Sequence, residues 1–272
     1  GAWGWRDDST RGRRAALAGA FAATPRCFLH GPTREERMRL HVGTSGYSYK
    51  EWKGSFYPEK LPSKEMLAYY GGRLGAVEIN NTFYRLPKAS VLESWAEQVP
   101  NDFRFSIKAS RRITHFTRLK PEAREPTEYL LSTLETLGRR LGAVLFQLPP
   151  NLKKDAERLA GFLEMLPEGT PGAFEFRHPS WSDDEVRELL RARGMTLVCA
   201  DTDDADEDEP IVRTSGWGYL RLRRAEYADE DLERWVDRVR SQDWTHALVF
   251  FKHEDEGAGP RMAERFGALF EA

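Results

Sequence analysis

From residue 39 onward, short apolar runs alternate with longer amphipathic stretches. The runs are LHVGTSG (40–46), AVEIN (76–80), FRFSIKA (103–109), LGAVLFQLP (141–149), GAFEFRH (172–178), MTLVCAD (195–201), GYLRLR (218–223) and HALVFFKH (246–253), each of strand length. The stretches between them carry a helical period. Leu159, Phe162, Leu163 and Leu166 keep the i, i+3, i+4, i+7 spacing of one buried helix face, and so do Leu232, Trp235, Val236 and Val239. Ser182 to Glu185 reads as a capping box, and Ser63 as the cap of a helix carrying Met66, Leu67 and Tyr70. One gap breaks the alternation: between the sixth and seventh runs, the acidic DTDDADEDEP (201–210) reads as a solvated loop in place of a helix.

Eight strands alternating with helices predict an α/β fold, a parallel (β/α)8 TIM-like barrel, with the helix between strands six and seven replaced by the acidic loop. An open doubly wound sheet is the competitor, but no GxGxxG turn follows any strand. No internal repeat or linker divides residues 39–272, which are expected to form one domain. Residues 1–38 differ: RGRR (11–14) precedes AALAGAFAA (15–23), a pattern similar to an export core. The alternative is a disordered or non-native extension ahead of a natural start at Met38, which is the expectation taken.

The balance of 41 basic and 43 acidic residues, a net charge of -2, provides no global field to recruit nucleic acid or an anionic membrane. The two cysteines, Cys27 and Cys199, form no CxxC pair, so neither a disulfide framework nor a thiolate zinc site is expected. That favours a reducing, cytoplasmic setting, and no apolar run has the length of a membrane span.

A parallel barrel places its site at the carboxyl ends of the strands, and the polar residues there form a set. The first strand ends in Thr44, Ser45 and Gly46, the second in Glu78 and Asn80 followed by Tyr84, and the third at Lys108 with His115 beyond it. The fourth ends at Gln147, the fifth offers Glu175, Arg177 and His178 followed by Trp181, and the sixth ends in Asp201. The seventh carries Arg221 and Arg223, the eighth Lys252 and His253. Strand alternation puts Glu78 with Asn80, Glu175 with Arg177, and Tyr219 with Arg221 and Arg223 on common faces. A purely structural salt-bridge network is the alternative for such a set, though apolar layers would fill a barrel at lower desolvation cost.

Paired carboxylates beside lysine and arginine suit general acid/base chemistry, in which neighbouring charges push two pKa values apart. Glu78 and Glu175 are the expected proton-transfer groups. Lys108 and Arg177 are expected to stabilise developing negative charge, with Arg221, Lys252 and His115 orienting an anion such as a phosphate. Asn80, Gln147 and Tyr84 would fix the ligand, and the GTSG turn (43–46) would add backbone amides. Lys108 as a Schiff-base nucleophile ranks lower, because nearby Glu78 or Glu175 would hold it protonated. No cofactor is expected. A divalent metal held by Glu78, Glu175, His178 and Asp201 is a lesser alternative without HxH or HExxH spacing, and glycoside hydrolysis needs a carboxylate separation that sequence does not supply. From another class, a basic rim with Tyr47, Tyr49, Trp52, Phe83, Tyr84 and Trp181 would suit a non-catalytic nucleic-acid or nucleotide-binding barrel.

HVGTSGYSYKEWKGSFYP, VEINNTFYRLP, FRFSIKASRRITH, LFQLPPNL and EFRHPSW, in this order, resemble the signature blocks of the DUF72 (YecE-like) family over essentially all of residues 39–272. The resemblance implies a TIM-barrel-like fold and an uncharacterised protein, with no established activity. Its matched polar positions include Thr44, Ser45, Gly46, Glu78, Asn80, Thr82, Tyr84, Lys108, His115, Gln147, Glu175, Arg177, His178, Trp181, Asp201 and Arg221. Two places depart from the family pattern: Arg223 stands where a histidine is usual, and Lys252 and His253 replace an asparagine pair. Both make the rim more basic. Barrels of this kind are similar to endonuclease-IV-like enzymes in fold, which adds a metal-dependent phosphoesterase as a further alternative, although the histidine set of those nucleases is not visible.

Overall fold

The structure, a computed structural model, describes residues 38–203, 210–252 and 257–272. The expected N-terminal extension up to residue 37, most of the acidic run and His253 lie outside the described residues. Nine strand segments form one sheet: β1 (Arg39–Ser45), β2 (Ala76–Ile79), β3 (Arg104–Lys108), β4 (Leu141–Gln147), β5 (Gly172–Glu175), β6 (Thr196–Leu197), β7 (Cys199–Asp201), β8 (Trp217–Leu222) and β9 (His246–Phe251). All pairings are parallel, in the order β6-β5-β4-β3-β2-β1-β9-β8-β7. β6 and β7 are two halves of the expected sixth strand. The first pairs with β5 and the second with β8, and the Val198 amide between them donates to the Phe174 carbonyl at 2.9 Å. The barrel is therefore nearly closed, with its one discontinuity at Val198.

Period-two alternation sorts the strand residues. Ala76, Ala143, Leu145, Ala173, Tyr219, Leu248 and Phe250 form the barrel interior. Their neighbours Val77, Phe105, Ile107, Val144, Phe146, Phe174, Leu220, Val249 and Phe251 belong to the outer core beneath the helices. Small side chains on β2, β4 and β5 leave room for Tyr219 to pack on Phe250, with ring centroids 5.2 Å apart. β1 and β2 approach so closely that a Cβ on Gly43 would lie 1.7 Å from the Ala76 carbonyl oxygen.

The helices are α1 (Met66–Gly71), α2 (Ala89–Glu97), α3 (Arg124–Leu134), α4 (Ala156–Met165), α5 (Asp184–Ala192), α6 (Asp229–Arg240) and α7 (Ala258–Glu271). The two expected faces are buried, Leu159, Phe162 and Leu163 on α4 and Leu232, Trp235, Val236 and Val239 on α6. Two expected caps are corrected. Asp183, one residue after Ser182, caps α5 by accepting the Glu185 amide at 2.9 Å, because a carboxylate suits the positive helix start better than a hydroxyl. Ser63 opens a short helical turn (Ser63–Glu65) ahead of α1, where no side chain makes the cap. No helix forms among the described residues between β7 and β8, and none among the described residues is long and apolar enough to cross a membrane.

The amino end of the barrel is plugged by His41, His246 and Trp217. Trp217 stacks flat on His246 at 5.7 Å, and His41 meets His246 edge-on at 6.2 Å. Burial, then Arg104 and His246, push the His41 pKa down to about 4, so this plug is neutral at physiological pH.

Candidate functional site

At the carboxyl end, inward parity brings Ser45, Glu78, Ser106, Lys108, Gln147, Glu175, Tyr219 and Arg221 together. Register does the rest: Ser45 lies opposite Glu78, and Gln147 opposite Glu175. Arg221 is the centre. One Nη donates to Glu175 Oε2 at 2.6 Å and the other to Glu78 Oε1 at 2.8 Å, with all three side chains buried. Glu78 Oε1 also accepts from Ser45 Oγ at 2.9 Å and Asn80 Nδ2 at 3.0 Å, while Oε2 accepts from the Tyr219 hydroxyl at 2.7 Å. Because that phenolic proton goes to Glu78, Ser106 must be the donor in its 2.6 Å bond to Tyr219. Glu175 Oε1 accepts from Gln147 Nε2 at 2.9 Å and from Arg177 Nε at 3.2 Å.

The electrostatics follow from this saturation. Burial pushes both carboxyls up, but Arg221 and the surrounding donors outweigh it. Glu78 is held below the usual range and Glu175 falls to about 2. The expected division of this pair into one acid and one base is therefore not what the geometry produces, since both are ionised at neutral pH. Burial likewise lowers Arg221, yet the two carboxylates drive its pKa above the ordinary value. Lys108 behaves in the opposite way. Burial, then Arg221, lower it to about 8, although Glu78 and Glu175 act to raise it. The expected hold of those carboxylates on Lys108 is weakened, although a pKa of about 8 leaves the amine mostly protonated at neutral pH: Arg221 has taken both, and Lys108 Nζ donates instead to the neutral Gln147 Oε1 at 2.7 Å.

The rim lies above this ring. Thr82 Oγ1 bonds the Ile79 and Lys108 carbonyls at 3.1 and 2.7 Å, which ties the loop after β2 to the end of β3. This holds Phe83 between Lys108 Nζ, 4.6 Å from the ring centroid, and His115, edge-on at 4.8 Å. Burial, Lys108 and Arg177 lower the His115 pKa, and its Nδ1 lies 2.8 Å from Thr114 Oγ1. Arg223 is half-buried, feels Arg221, Glu78, Glu175 and Arg177, and has no side-chain hydrogen bond or ion pair among the described residues. Farther out, Arg111 lies over Tyr84 at 5.4 Å and over Phe116 at 5.2 Å, and both aromatics are exposed.

Residues 41–272 match the sequence profile of a family described as "Protein of unknown function DUF72". The chain belongs to that family. It is 32% identical to UPF0759 protein YecE of Escherichia coli (strain K12) over 169 residues, 60% of this chain and 59% of the relative, so the match spans under two thirds of that protein. It is 26% identical to UPF0759 protein YunF of Bacillus subtilis (strain 168) over 235 residues, 80% of this chain and 79% of the relative. Among solved structures, a DUF72 family protein from Thermotoga maritima is similar with a TM-score of 0.75 and 30% identity, over 86% of this chain and all of that one. A second, from Enterococcus faecalis, has a TM-score of 0.71 at 18% identity, over 87% of this chain and 99% of that one, and shows the fold alone.

In this DUF72 barrel, several residues expected at the site lie elsewhere. Thr44 has outward parity, and its amide and hydroxyl engage the Tyr70 hydroxyl and the Gly46 carbonyl. The Gly46 amide donates to the Glu78 carbonyl at 2.8 Å, so the Thr44 and Gly46 amides are not open to an anion. Asp201 also faces outward, because Ala200 takes the inner position; it binds Tyr227 at 2.7 Å and Arg224 at 2.8 Å. His178 turns from the ring to cap the turn Pro179–Trp181 through the Ser180 amide. Trp181 is buried against Phe176, with its indole N–H on the Leu152 carbonyl at 2.7 Å. Arg221 is sealed within the carboxylate pair and does not reach an incoming anion. Lys252 continues the inward parity of β9, its amide bonded to Leu222. Ser106 received no role from sequence and Tyr219 only a face shared with Arg221, although each sits two residues before an expected inward cation. Among the described residues, no group of three or more His, Cys, Asp or Glu is arranged to hold a metal, and a cation at Glu78 or Glu175 would compete with Arg221.

Proposed function

We propose that the carboxyl-terminal mouth is the catalytic site of an enzyme acting on small anionic substrates, phosphorylated compounds included, by general acid/base chemistry. The observation that carries this reading is Arg223, a half-buried guanidinium with no partner among the described residues, above a ring whose two carboxylates are already paired with Arg221. Two carboxylates here face three guanidiniums and an amine, so the mouth has excess positive charge. In this reading Arg177, Arg223 and Lys252 hold the anion, and Lys108 and His115, whose pKa values burial has lowered, carry protons. Glu78, Glu175 and Arg221 form the rigid charged floor, with Asn80, Ser45 and Gln147 fixing its geometry.

A second reading has its own observation. Exposed Tyr84 and Phe116 with Arg111 between them form a stacking platform suited to single-stranded nucleic acid or a nucleotide. Thermal unfolding with inorganic phosphate, lactate or a short single-stranded oligonucleotide tests both. The first reading expects the small anions to raise the midpoint, and Arg223→Gln to remove that rise while leaving the unliganded midpoint within about 2 °C. An equal rise in the variant, or none with any anion, would refute it. The second expects oligonucleotide affinity to fall steeply with salt, roughly 0.7 logarithmic units per phosphate contacted. A flat response refutes that one.

A further inference from the structure

A buried lysine with a structural role ordinarily meets a carboxylate. Among the described residues Lys108 does not, although two carboxylates line the same ring. Arg221 holds both, and Lys108 Nζ donates to a neutral amide oxygen, Gln147 Oε1, at 2.7 Å. The amine ends β3 at the barrel mouth, over the face of Phe83, and is half-buried, so a small molecule can reach it. Arg223, unpartnered among the described residues, and half-exposed Arg177 supply positive charge in the same mouth.

We infer that Lys108 is a nucleophile that forms a Schiff base with the carbonyl of a small compound that also bears an anionic group. This rests on the reading of the mouth as an anion site and names the substrate class. With a pKa of about 8 against the usual 10.5, Lys108 presents roughly 200-fold more free amine at pH 7.5 than an exposed lysine. Its Nζ lone pair forms a C–N bond to the carbonyl carbon while the C=O π pair moves to oxygen, which takes up a proton. The nitrogen of this carbinolamine loses a proton; its lone pair then forms C=N as the hydroxyl, protonated, leaves as water. Amine, carbonyl and one proton thus yield the protonated imine and one water, with no redox change. His115 flanks the same Phe83 ring and has Nδ1 on Thr114, which leaves Nε2 to take the proton from nitrogen and return it to the leaving oxygen. Arg177 and Arg223 bind the anionic group.

The test uses the full chain with glyoxylate or pyruvate, sodium borohydride to reduce any imine, and peptide mass spectrometry. Lactate, which has the charge of pyruvate without the carbonyl, serves as competitor and as ligand in thermal unfolding. The expected result is a reduced adduct on Lys108 forming about tenfold or more faster than on any other lysine, slowed by lactate and by Arg223→Gln. If lactate raises the midpoint but Lys108 labels no faster than exposed lysines with either carbonyl acid, the nucleophile is overturned and the anion site stands. If Lys108 labels preferentially but lactate neither protects nor stabilises, the nucleophile stands and the anion site fails. If neither occurs, both fail.

Discussion

Replacing Arg221 with methionine keeps most of the side-chain volume and removes the one charge shared by two buried carboxylates. Glu78 would lose the 2.8 Å contact and Glu175 the 2.6 Å contact, and only Glu175 would retain a second guanidinium, Arg177 at 3.2 Å. Removing one partner of a buried ion pair costs about 3–5 kcal/mol, and two stranded carboxylates place this case toward the upper end. With a urea m-value of about 3 kcal/mol/M, the unfolding midpoint should fall by roughly 1.5 M at pH 7.5. The pH dependence separates this cause from simple loss of packing. In the native protein both carboxyls titrate below the usual 4.5, Glu175 at about 2. Their contribution is therefore present above the unfolded pKa and lost as pH falls through the folded one. Without Arg221, only the hydrogen bonds of Tyr219, Asn80 and Ser45 to Glu78, and Arg177 and Gln147 on Glu175, oppose burial, so the folded pKa values rise above those of the native protein and the variant gives up less stability as pH falls. The gap between the proteins should narrow markedly from pH 7.5 to pH 4.5. Urea unfolding followed by tryptophan fluorescence at both values measures it. The triple variant Glu78→Gln, Glu175→Gln, Arg221→Met should recover much of the loss. A loss under about 1 kcal/mol at pH 7.5, or one of equal size at both pH values, would refute the reasoning.

Two further outcomes are expected. His41 has its pKa lowered from 6.5 to about 4 by burial and by Arg104, His246 and Arg39, against Asp102, so its contribution is full above 6.5 and lost as pH falls toward 4. His41→Phe should flatten native stability across that window by roughly 2–3 kcal/mol, and an unchanged slope in a pH series of urea midpoints would refute the assignment. Gly43→Ala would drive a methyl group into the Ala76 carbonyl, with 1.7 Å between the atoms. Parting β1 from β2 should cost about 3 kcal/mol or more, and a midpoint within about 2 °C of the native protein in thermal unfolding would show that the strands are not so tightly apposed.

The alternation of Ala76, Val77, Glu78 and Ile79 was sufficient to assign faces in β2, and the same period did so for Glu175 and for the Tyr219, Arg221 and Arg223 series. At strand ends such as Thr44–Ser45 and Ala200–Asp201, periodicity left the phase open. Packing decided it: Tyr70 drew Thr44 outward, and Tyr227 with Arg224 drew Asp201 out. The cap shift from Ser182 to Asp183 is a similar local competition between two acceptors one residue apart.

Strand number, strand order along the chain and the inward placement of Glu78, Lys108, Glu175 and Arg221 were determined by the sequence alone, because side-chain parity and helical period are properties of the local backbone. Which donor meets which carboxylate was not. Arg221 lies 143 residues from Glu78 and 46 from Glu175, and only the register of the closed barrel brings it between them. That placement set the electrostatics: once Arg221 held both carboxylates, Lys108 was left to a neutral amide and its pKa fell. Burial and long-range pairing govern ionisation, so the chemical character of the mouth was decided by the tertiary structure.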